Sequence, residues 1–190
     1  MEFPILAYGH PNLRKIAADI DADYPELNML IDNMFASMYR SHGVGLAAPQ
    51  INKSIRLFII DASPYAEDDE NCKDFKKVFI NAHIYEESGN EWGFEEGCLS
   101  VPKINETVIR KENLRMKYMD EKFVEHDEEF TGLLARIIQH EYDHLDGILF
   151  VDRLPLIKKT MLKRKLNDIA KGDVEVDYKM IFPLIKKARR

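Results

Sequence analysis

The segment QHEYDHLDG, residues 139–147, places two histidines four residues apart, with a glutamate directly after the first. It completes a longer stretch, residues 131–147, in which apolar side chains recur at helical spacing and a glycine follows as a stop signal. This pattern predicts an α-helix that ends near Gly147. This helix constrains the fold strongly, because its surroundings must bury its apolar side chains and also provide partners for its ionisable ones.

A helical wheel shows where the ionisable groups of this helix point. At about 100° per residue, His140 and His144 fall together beside Leu133 and Ile137, and Glu141 projects into the apolar arc. A carboxylate on a buried face costs several kcal/mol unless another group pairs with it or uses it. The wheel therefore predicts a functional polar cluster on the buried side of the helix.

Side chains four residues apart lie one turn above each other, so His140 and His144 can bind one metal ion. Glu141 is then placed to handle the proton of a metal-bound water. The alternative is two hydrogen-bonded core histidines and a salt-bridged glutamate. Catalytic metal sites usually have three protein ligands and one open position. Cys98, beside a glycine in EEGCLSVP, is a candidate for the third, and the residues alone leave this choice open.

Apolar patterns elsewhere predict further elements. Amphipathic helices are expected at 25–40 and 155–172, and strands at 55–61, 77–84 and 114–120. The strands form a block between helices, which favours an α+β fold over a parallel doubly wound sheet.

Other segments carry loop signals. GVGLAAPQ (43–50) is expected to be a loop or bent segment, and ESGNEWG (87–93) a turn. The acidic stretch 63–76, which contains Cys72, is expected to be a surface excursion, and the basic residues 186–190 a solvated tail.

Composition limits the class of protein. The chain has 190 residues, which fits one domain over 1–190 with a real hydrophobic core. Its net charge of −6 argues against DNA as a partner, and its apolar runs are far shorter than the roughly 20 residues of a membrane helix. The start is a poor signal peptide, and two cysteines are too few for a disulfide framework, so a cytoplasmic protein with free thiols is expected.

Three segments together resemble the signature motifs of peptide deformylase: GVGLAAPQ (43–50), EEGCLS (95–100) and QHEYDHLDG (139–147). Their order and rough separation also match, as does the opening MEFPILAYGHPNLRKIA. Each motif alone is only moderately specific, because His-Glu-x-x-His occurs in many metalloproteases. The resemblance implies an α+β fold in which antiparallel β-sheets and a C-terminal helix surround a central metal-binding helix. It also implies removal of the formyl group from the N-terminal formyl-methionine of new bacterial proteins.

The resemblance assigns roles to individual residues. The implied metal ligands are Cys98, His140 and His144. The implied catalytic groups are Glu141 as general acid and base, with Gln50 and the backbone amide of Leu99 binding the oxyanion. The implied substrate-cleft residues are Val44, Gly45 and Gly97.

The implied cofactor is one divalent metal ion. The resemblance points to Fe²⁺ in the cell, with Zn²⁺, Ni²⁺ or Co²⁺ able to occupy the site, whereas the general affinity order favours zinc over ferrous iron. The implied partners are N-formylmethionyl nascent peptides and the ribosome, and a monomer is expected.

Two further expectations concern the surroundings of the metal. The resemblance implies a buried arginine partner for Glu96, so Glu96 and Arg110 are expected to form an ion pair, the alternative being two exposed charges. Asp143 or Asp146 is expected to orient a ligand histidine through its other ring nitrogen. Leu133 and Ile137, with Val44, are expected to form an apolar slot for the methionine side chain of the substrate.

Two rival functions remain from the sequence. A general His-Glu-x-x-His metallopeptidase usually takes its third ligand downstream of the helix, whereas Cys98 lies upstream. A binding-only metal domain has no need of Glu141, and structural zinc sites prefer four protein ligands.

Overall fold

The computed structural model describes residues 2–184, and the predicted basic tail at 186–190 lies outside them. Most of the strands follow one another between the first two helices, which confirms the α+β class. The helices are α1 (Leu27–Arg40), α2 (Gly132–Leu145) and α3 (Leu156–Lys171). The strands are β1 (Ile5–Leu6), β2 (Gly45–Ala47), β3 (Leu57–Asp61), β4 (Lys76–Cys98), β5 (Val101–Met119), β6 (Glu125–Thr131) and β7 (Met180–Ile181).

Strands β2 to β6 form one antiparallel sheet in sequence order, and β1 and β7 form a separate parallel pair. The turn predicted at 87–93 is wrong, because these residues lie inside the long strand β4. The turn-forming residues mark an irregularity instead. The pairing with β5 shifts between Ser88 and Glu91, and Gly89 adopts a φ of 77°, which glycine tolerates without strain.

The loop predicted at 43–50 is correct only in part. Its centre forms the short strand β2, in which Gly45 pairs with Ile60 and Ala47 with Phe58. A single 3₁₀ turn, Ala48–Ile51, then follows. The sequence suggested a loop because the segment is short and rich in small residues, whereas pairing with β3 makes it the edge of the sheet.

Helix α2 packs against the five-stranded sheet, where it contacts β2, β3, β5 and β6. Its end matches the prediction, since the helix stops at Leu145 and Gly147 takes a φ of 71°. The acidic segment 63–76 packs near its start, where the Leu133 amide donates to the Asp69 carboxylate over 3.4 Å. Cys72 in this segment is completely buried, so the excursion is anchored in the core.

The other two helices pack into different core clusters. Helix α1 buries its apolar stripe against β2 and β3, with Met34 and Met38 fully enclosed. Helix α3 packs Leu162, Leu166 and Ile169 into a third core cluster. Within residues 2–184, no helix has the length and apolar character that a membrane crossing requires.

Candidate metal centre

Three metal-binding side chains converge where β4 ends against α2. The donor atoms of Cys98, His140 and His144 all lie within 4.8 Å of one another. The Sγ of Cys98 is 3.4 Å from the Nε2 of His144. The i, i+4 spacing on α2 places the two histidines together, and Cys98 reaches them because it is the last residue of β4.

His140 is oriented by a carboxylate behind it. Its Nδ1 lies 2.9 Å from Glu96 Oε2, which leaves Nε2 for the site. Burial alone would lower the pKa of His140, but its hydrogen bonds with Cys98 and Glu96 outweigh burial and raise the pKa. Such a carboxylate fixes the ring orientation of a ligand histidine and raises its basicity.

The expectation that Asp143 or Asp146 orients a ligand histidine is wrong. Asp143 accepts a hydrogen bond of 2.7 Å from Arg110, and Asp146 accepts one of 2.8 Å from Arg56. Asp143 lies on α2 and Asp146 directly after it, and their side chains point to Arg110 on β5 and to Arg56 just before β3. Glu96, on the strand that faces the helix, performs the expected role instead.

Behind His140 lies a buried network of charges, and the predicted Glu96–Arg110 pair is confirmed at its centre. Arg110 donates two hydrogen bonds to Glu96, of 2.7 and 2.9 Å. Arg136 adds a third, of 3.0 Å. Burial alone would raise the pKa of Glu96, but the bonds from Arg110 and His140 hold that pKa well below its usual range. Glu96 is therefore an anion, and the network holds it rigidly.

Glu141 has very different surroundings from Glu96. Its side chain is only 5% exposed, and its Oε2 has no hydrogen-bond partner among residues 2–184. Burial raises the pKa of Glu141 to about 7. A carboxyl group with a pKa near neutrality can both accept and deliver a proton. A side chain at Gly45 would collide with Glu141, since a Cβ there would lie 2.4 Å from Oε1.

His144 is the most enclosed member of the cluster, and its Nδ1 is buried without a partner among the described residues. Burial lowers the pKa of His144 well below its usual value, so its imidazole is neutral. A neutral imidazole and a thiol beside it form a donor set that suits a borderline metal ion. The residues present therefore fit a divalent metal.

Gln50 presents its amide nitrogen to the same place. Its Oε1 accepts a hydrogen bond of 2.9 Å from the Ala47 amide, which fixes the orientation of the side chain. Its Nε2 donates to Ser100 Oγ over 3.2 Å and lies 3.5 Å from Cys98 Sγ. Sequence reasoning missed Ser100, since a serine after a leucine carries no signal of its own.

A cleft of about 630 Å³ opens onto the cluster. Of the predicted site residues, those that line it are Val44, Gly45, Gln50, Gly97, Cys98, Leu99, Ile137, His140 and Glu141. Leu133 lies in the core and packs within its largest apolar cluster. The space beside Gly97 is closed to larger residues, because a Cβ there would lie 2.7 Å from Asn105 Oδ1.

Other residues that line the cleft were not predicted. These residues come from segments distant in sequence and include His42, Asp177 and Tyr178. Only their contacts in the folded chain reveal them, because no local pattern in the sequence distinguishes them from ordinary surface residues.

Comparisons with known proteins agree with this geometry. The sequence model of a family described as polypeptide deformylase matches residues 2–160. A peptide deformylase of Christiangramia forsetii is 52% identical over 196 aligned residues that cover 100% of both chains. The crystal structure of a peptide deformylase from Legionella pneumophila is 40% identical, with a TM-score of 0.78 over 91% of this chain and 98% of the other. A peptide deformylase structure from Plasmodium falciparum is 34% identical, with a TM-score of 0.79 over 88% and 95%.

Proposed function

The chain belongs to the polypeptide deformylase family, and from that premise we propose which of its residues perform the reaction. The protein is a metal-dependent hydrolase that removes the formyl group from the N-terminal formyl-methionine of newly synthesised proteins. The observation that carries our proposal is the convergence of two histidines and a thiol beside a buried, unpartnered Glu141 in the wall of the cleft.

We propose that Cys98, His140 and His144 hold the catalytic metal. When bound, the metal acidifies a water molecule and polarises the formyl group. Glu96 supports this set by fixing the ring of His140. The Gln50 amide nitrogen lies 3.5 Å from Cys98 Sγ and helps to hold the sulfur in place.

Glu141 is the general acid and base in this proposal. Its carboxylate accepts the proton of the attacking water and delivers it to the amine that leaves when the C–N bond breaks. Two features of its surroundings support this role. Glu141 has an oxygen without a partner, and its pKa of about 7 lies close to the pH at which both protonation states are populated.

Gln50 and the backbone amide of Leu99 are the proposed donors to the formyl oxygen. Negative charge grows on this oxygen when water adds to the formyl carbon. Gln50 is suited to the role because the Ala47 amide and Ser100 hold its side chain in place before substrate arrives. Removal of one such donor typically costs about 3 kcal/mol of transition-state stabilisation.

Substrate binding is assigned to the cleft wall. Gly45 and Gly97 allow the backbone of an extended peptide to approach, and Val44 and Ile137 form the apolar slot for methionine, with Leu133 behind them in the core. Burial of a methionine-sized side chain contributes about 1.5–3 kcal/mol. We therefore expect formyl-Asp peptides to lose at least ~10-fold in kcat/KM relative to formyl-Met peptides.

We propose Fe²⁺ as the metal in the cell, with Zn²⁺, Ni²⁺ or Co²⁺ able to replace it. A His₂Cys donor set accepts all of these borderline ions. Metal analysis of anaerobically purified protein, with formate release measured on the same sample, tests this assignment. A preparation that is fully active and contains zinc as its only bound metal would contradict it.

The remaining assignments concern the whole chain. We propose that residues 1–190 form one catalytic domain that acts as a monomer in the cytoplasm, on nascent peptides at the ribosome. Two features of α3 support the ribosome as a partner. Its sequence is rich in lysine, and it exposes Leu156, Ile157 and Met161.

Glu141→Gln is the sharpest test of the mechanism. The variant should retain the metal and lose about 100-fold or more in kcat, because an amide cannot carry the proton. Glu129→Gln, at an exposed acid on β6, is the matched control and should retain full activity. Loss of the metal together with activity would show that Glu141 is a ligand or a structural group.

The family relationship favours deformylation over peptide-bond hydrolysis. Formyl-Met-Ala-Ser and the same peptide without its formyl group separate the two activities. Formate should be released from the first peptide, and the second should remain intact. Cleavage of the unformylated peptide would support the general metallopeptidase.

A further inference from the structure

The C-terminal part of the chain returns to the active cleft after α3. Val176, Asp177 and Tyr178 line the cleft, although the match to the family's sequence model ends at residue 160. Several contacts hold this segment in place. Strand β7 pairs with β1, and the carboxylate of Asp177 lies 3.3 Å from the imidazole of His42 across the cleft.

Leu99 is held on the side of its carbonyl group. The Tyr178 hydroxyl donates a hydrogen bond of 2.8 Å to the Leu99 carbonyl. The next carbonyl, of Ser100, accepts a bond of 2.8 Å from the Tyr8 amide. On the other side, Cys98 pairs with Val101 as β4 turns into β5. The short connection is therefore fixed from both ends and by both terminal segments of the chain.

These ties determine where the Leu99 N–H points. The Leu99 N–H and the Leu99 carbonyl belong to two successive peptide planes that meet at the Leu99 Cα, so φ and ψ of Leu99 set the direction of the N–H relative to the carbonyl. Holding the Leu99 carbonyl removes part of that freedom. We propose that Tyr178 is a positioning residue for the deformylase reaction: its hydroxyl fixes the Leu99 carbonyl and so limits the orientation of the adjoining Cys98–Leu99 peptide plane, whose N–H meets the formyl oxygen. This inference rests on the oxyanion role proposed above for Leu99.

A purely structural role for Tyr178 predicts a different result from a positioning role. If its hydroxyl only fastened the C-terminal segment, its removal would change stability or the general shape of the cleft. If it aligns the Leu99 amide, its removal affects the step in which charge grows on the formyl oxygen. Binding of a product that lacks the formyl group should then remain as it was.

Tyr178→Phe tests the inference, because it removes one hydroxyl and keeps the ring, which packs against the same core cluster as Leu99. We expect kcat for formyl-Met-Ala-Ser to fall about 10-fold, since loss of alignment weakens one oxyanion donor without removing it. KM, metal content and inhibition by the product Met-Ala-Ser should remain within twofold of wild type. Tyr85→Phe is the matched control and should retain full kcat, because it removes a hydroxyl that contacts Asp127 at the surface.

The possible outcomes separate this inference from the proposed function. A wild-type protein that releases no formate would refute the function itself. An active wild type and a Tyr178→Phe variant with unchanged kcat would overturn the inference and leave the function intact. Equal losses in kcat and in affinity for Met-Ala-Ser would also overturn it, since they indicate a general change in the cleft. A melting scan establishes that the variant is folded before these kinetics are compared.

Discussion

Helices α2 and α3 have similar lengths and both carry many charged residues, yet they are buried in opposite ways. Helix α2 hides its polar side chains, and helix α3 leaves large apolar side chains in water. The buried polar residues of α2 include Arg136, Gln139, Glu141, Asp143 and His144. The exposed apolar residues of α3 are Leu156, Ile157 and Met161. Charge content therefore does not determine whether a helix lies inside the protein.

Partners explain the difference. The charges of α2 face β4 and β5, which supply Glu96 and Arg110, so that Arg136 and Asp143 form hydrogen bonds inside the protein. Of the buried carboxylates of α2, Glu141 keeps one oxygen without a partner among the described residues, which marks it as a candidate functional group. The charges of α3 are mostly exposed to water, although Lys158 pairs with Glu106 on β5. The helix packs into the core through a narrow apolar stripe.

The largest expected effect is the loss of a buried charge partner behind α2. Arg110→Ala removes two hydrogen bonds from Glu96 and one from Asp143, and both carboxylates stay buried. Removing one partner of a buried pair costs about 3–5 kcal/mol. Urea unfolding of the metal-depleted protein measures this loss without a contribution from metal affinity.

Arg164→Ala provides the comparison on α3. Its guanidinium is 93% exposed and lies 4.0 Å from Asp168, so the change should cost under about 1 kcal/mol. Equal losses in the two variants would break the contrast between the helices, because they would mean that the α2 network is no more important than a surface pair.

The second effect tests the apolar stripe of α3. Leu166 is buried in the third core cluster, so Leu166→Ala should cost about 2–3 kcal/mol through lost contacts and a partly retained cavity. Thermal unfolding checks this value. A negligible loss would show that α3 packs only loosely against the rest of the protein, whereas α2 is tightly packed.

Periodicity in the sequence predicted the helices and the shared helix face of His140 and His144, because both depend on residues three and four apart. The fold class followed from the order of such elements. Cys98 needed the resemblance to a family, since its approach to α2 depends on where a long strand ends. The turn predicted at 87–93 failed because pairing with β5 decides whether Gly89 makes a turn or a bulge.

The surroundings of the metal were less predictable for the same reason. Glu96 and Arg110 could be paired from the resemblance, but the sequence favoured Asp143 or Asp146 as the partner of a ligand histidine. Those aspartates are local to the helix, whereas Glu96 approaches His140 through the packing of β4 on α2. Tyr178 had no signal at all, because its role depends on a segment that returns from the far end of the chain.

A third, smaller effect compares how the two helices begin. In the first turn of α2, the Leu133 amide donates a hydrogen bond to the carboxylate of Asp69, which lies in another segment. Helix α3 begins after Pro155 without a side-chain cap. Asp69→Ala should lower stability by about 1 kcal/mol, the usual contribution of a capping side chain. The neighbouring exposed acid gives the control, since Asp68→Ala should leave the melting temperature unchanged.

The smallest effect on stability is expected at the exposed apolar face of α3. Met161 is 75% exposed, so Met161→Ser removes almost no buried surface and should change the free energy of unfolding by less than about 0.5 kcal/mol. Leu162→Ser, one residue further along, affects a buried side chain and should cost several times more.

If the face that contains Met161 binds the ribosome, Met161→Ser should weaken co-sedimentation with ribosomes and leave formate release from a free peptide unchanged. A stable variant with unaltered ribosome binding would remove this face from the proposed contact. A clear loss of stability would instead show that Met161 belongs to the packed side of α3, and the contrast with α2 would then be smaller than the exposed fractions indicate.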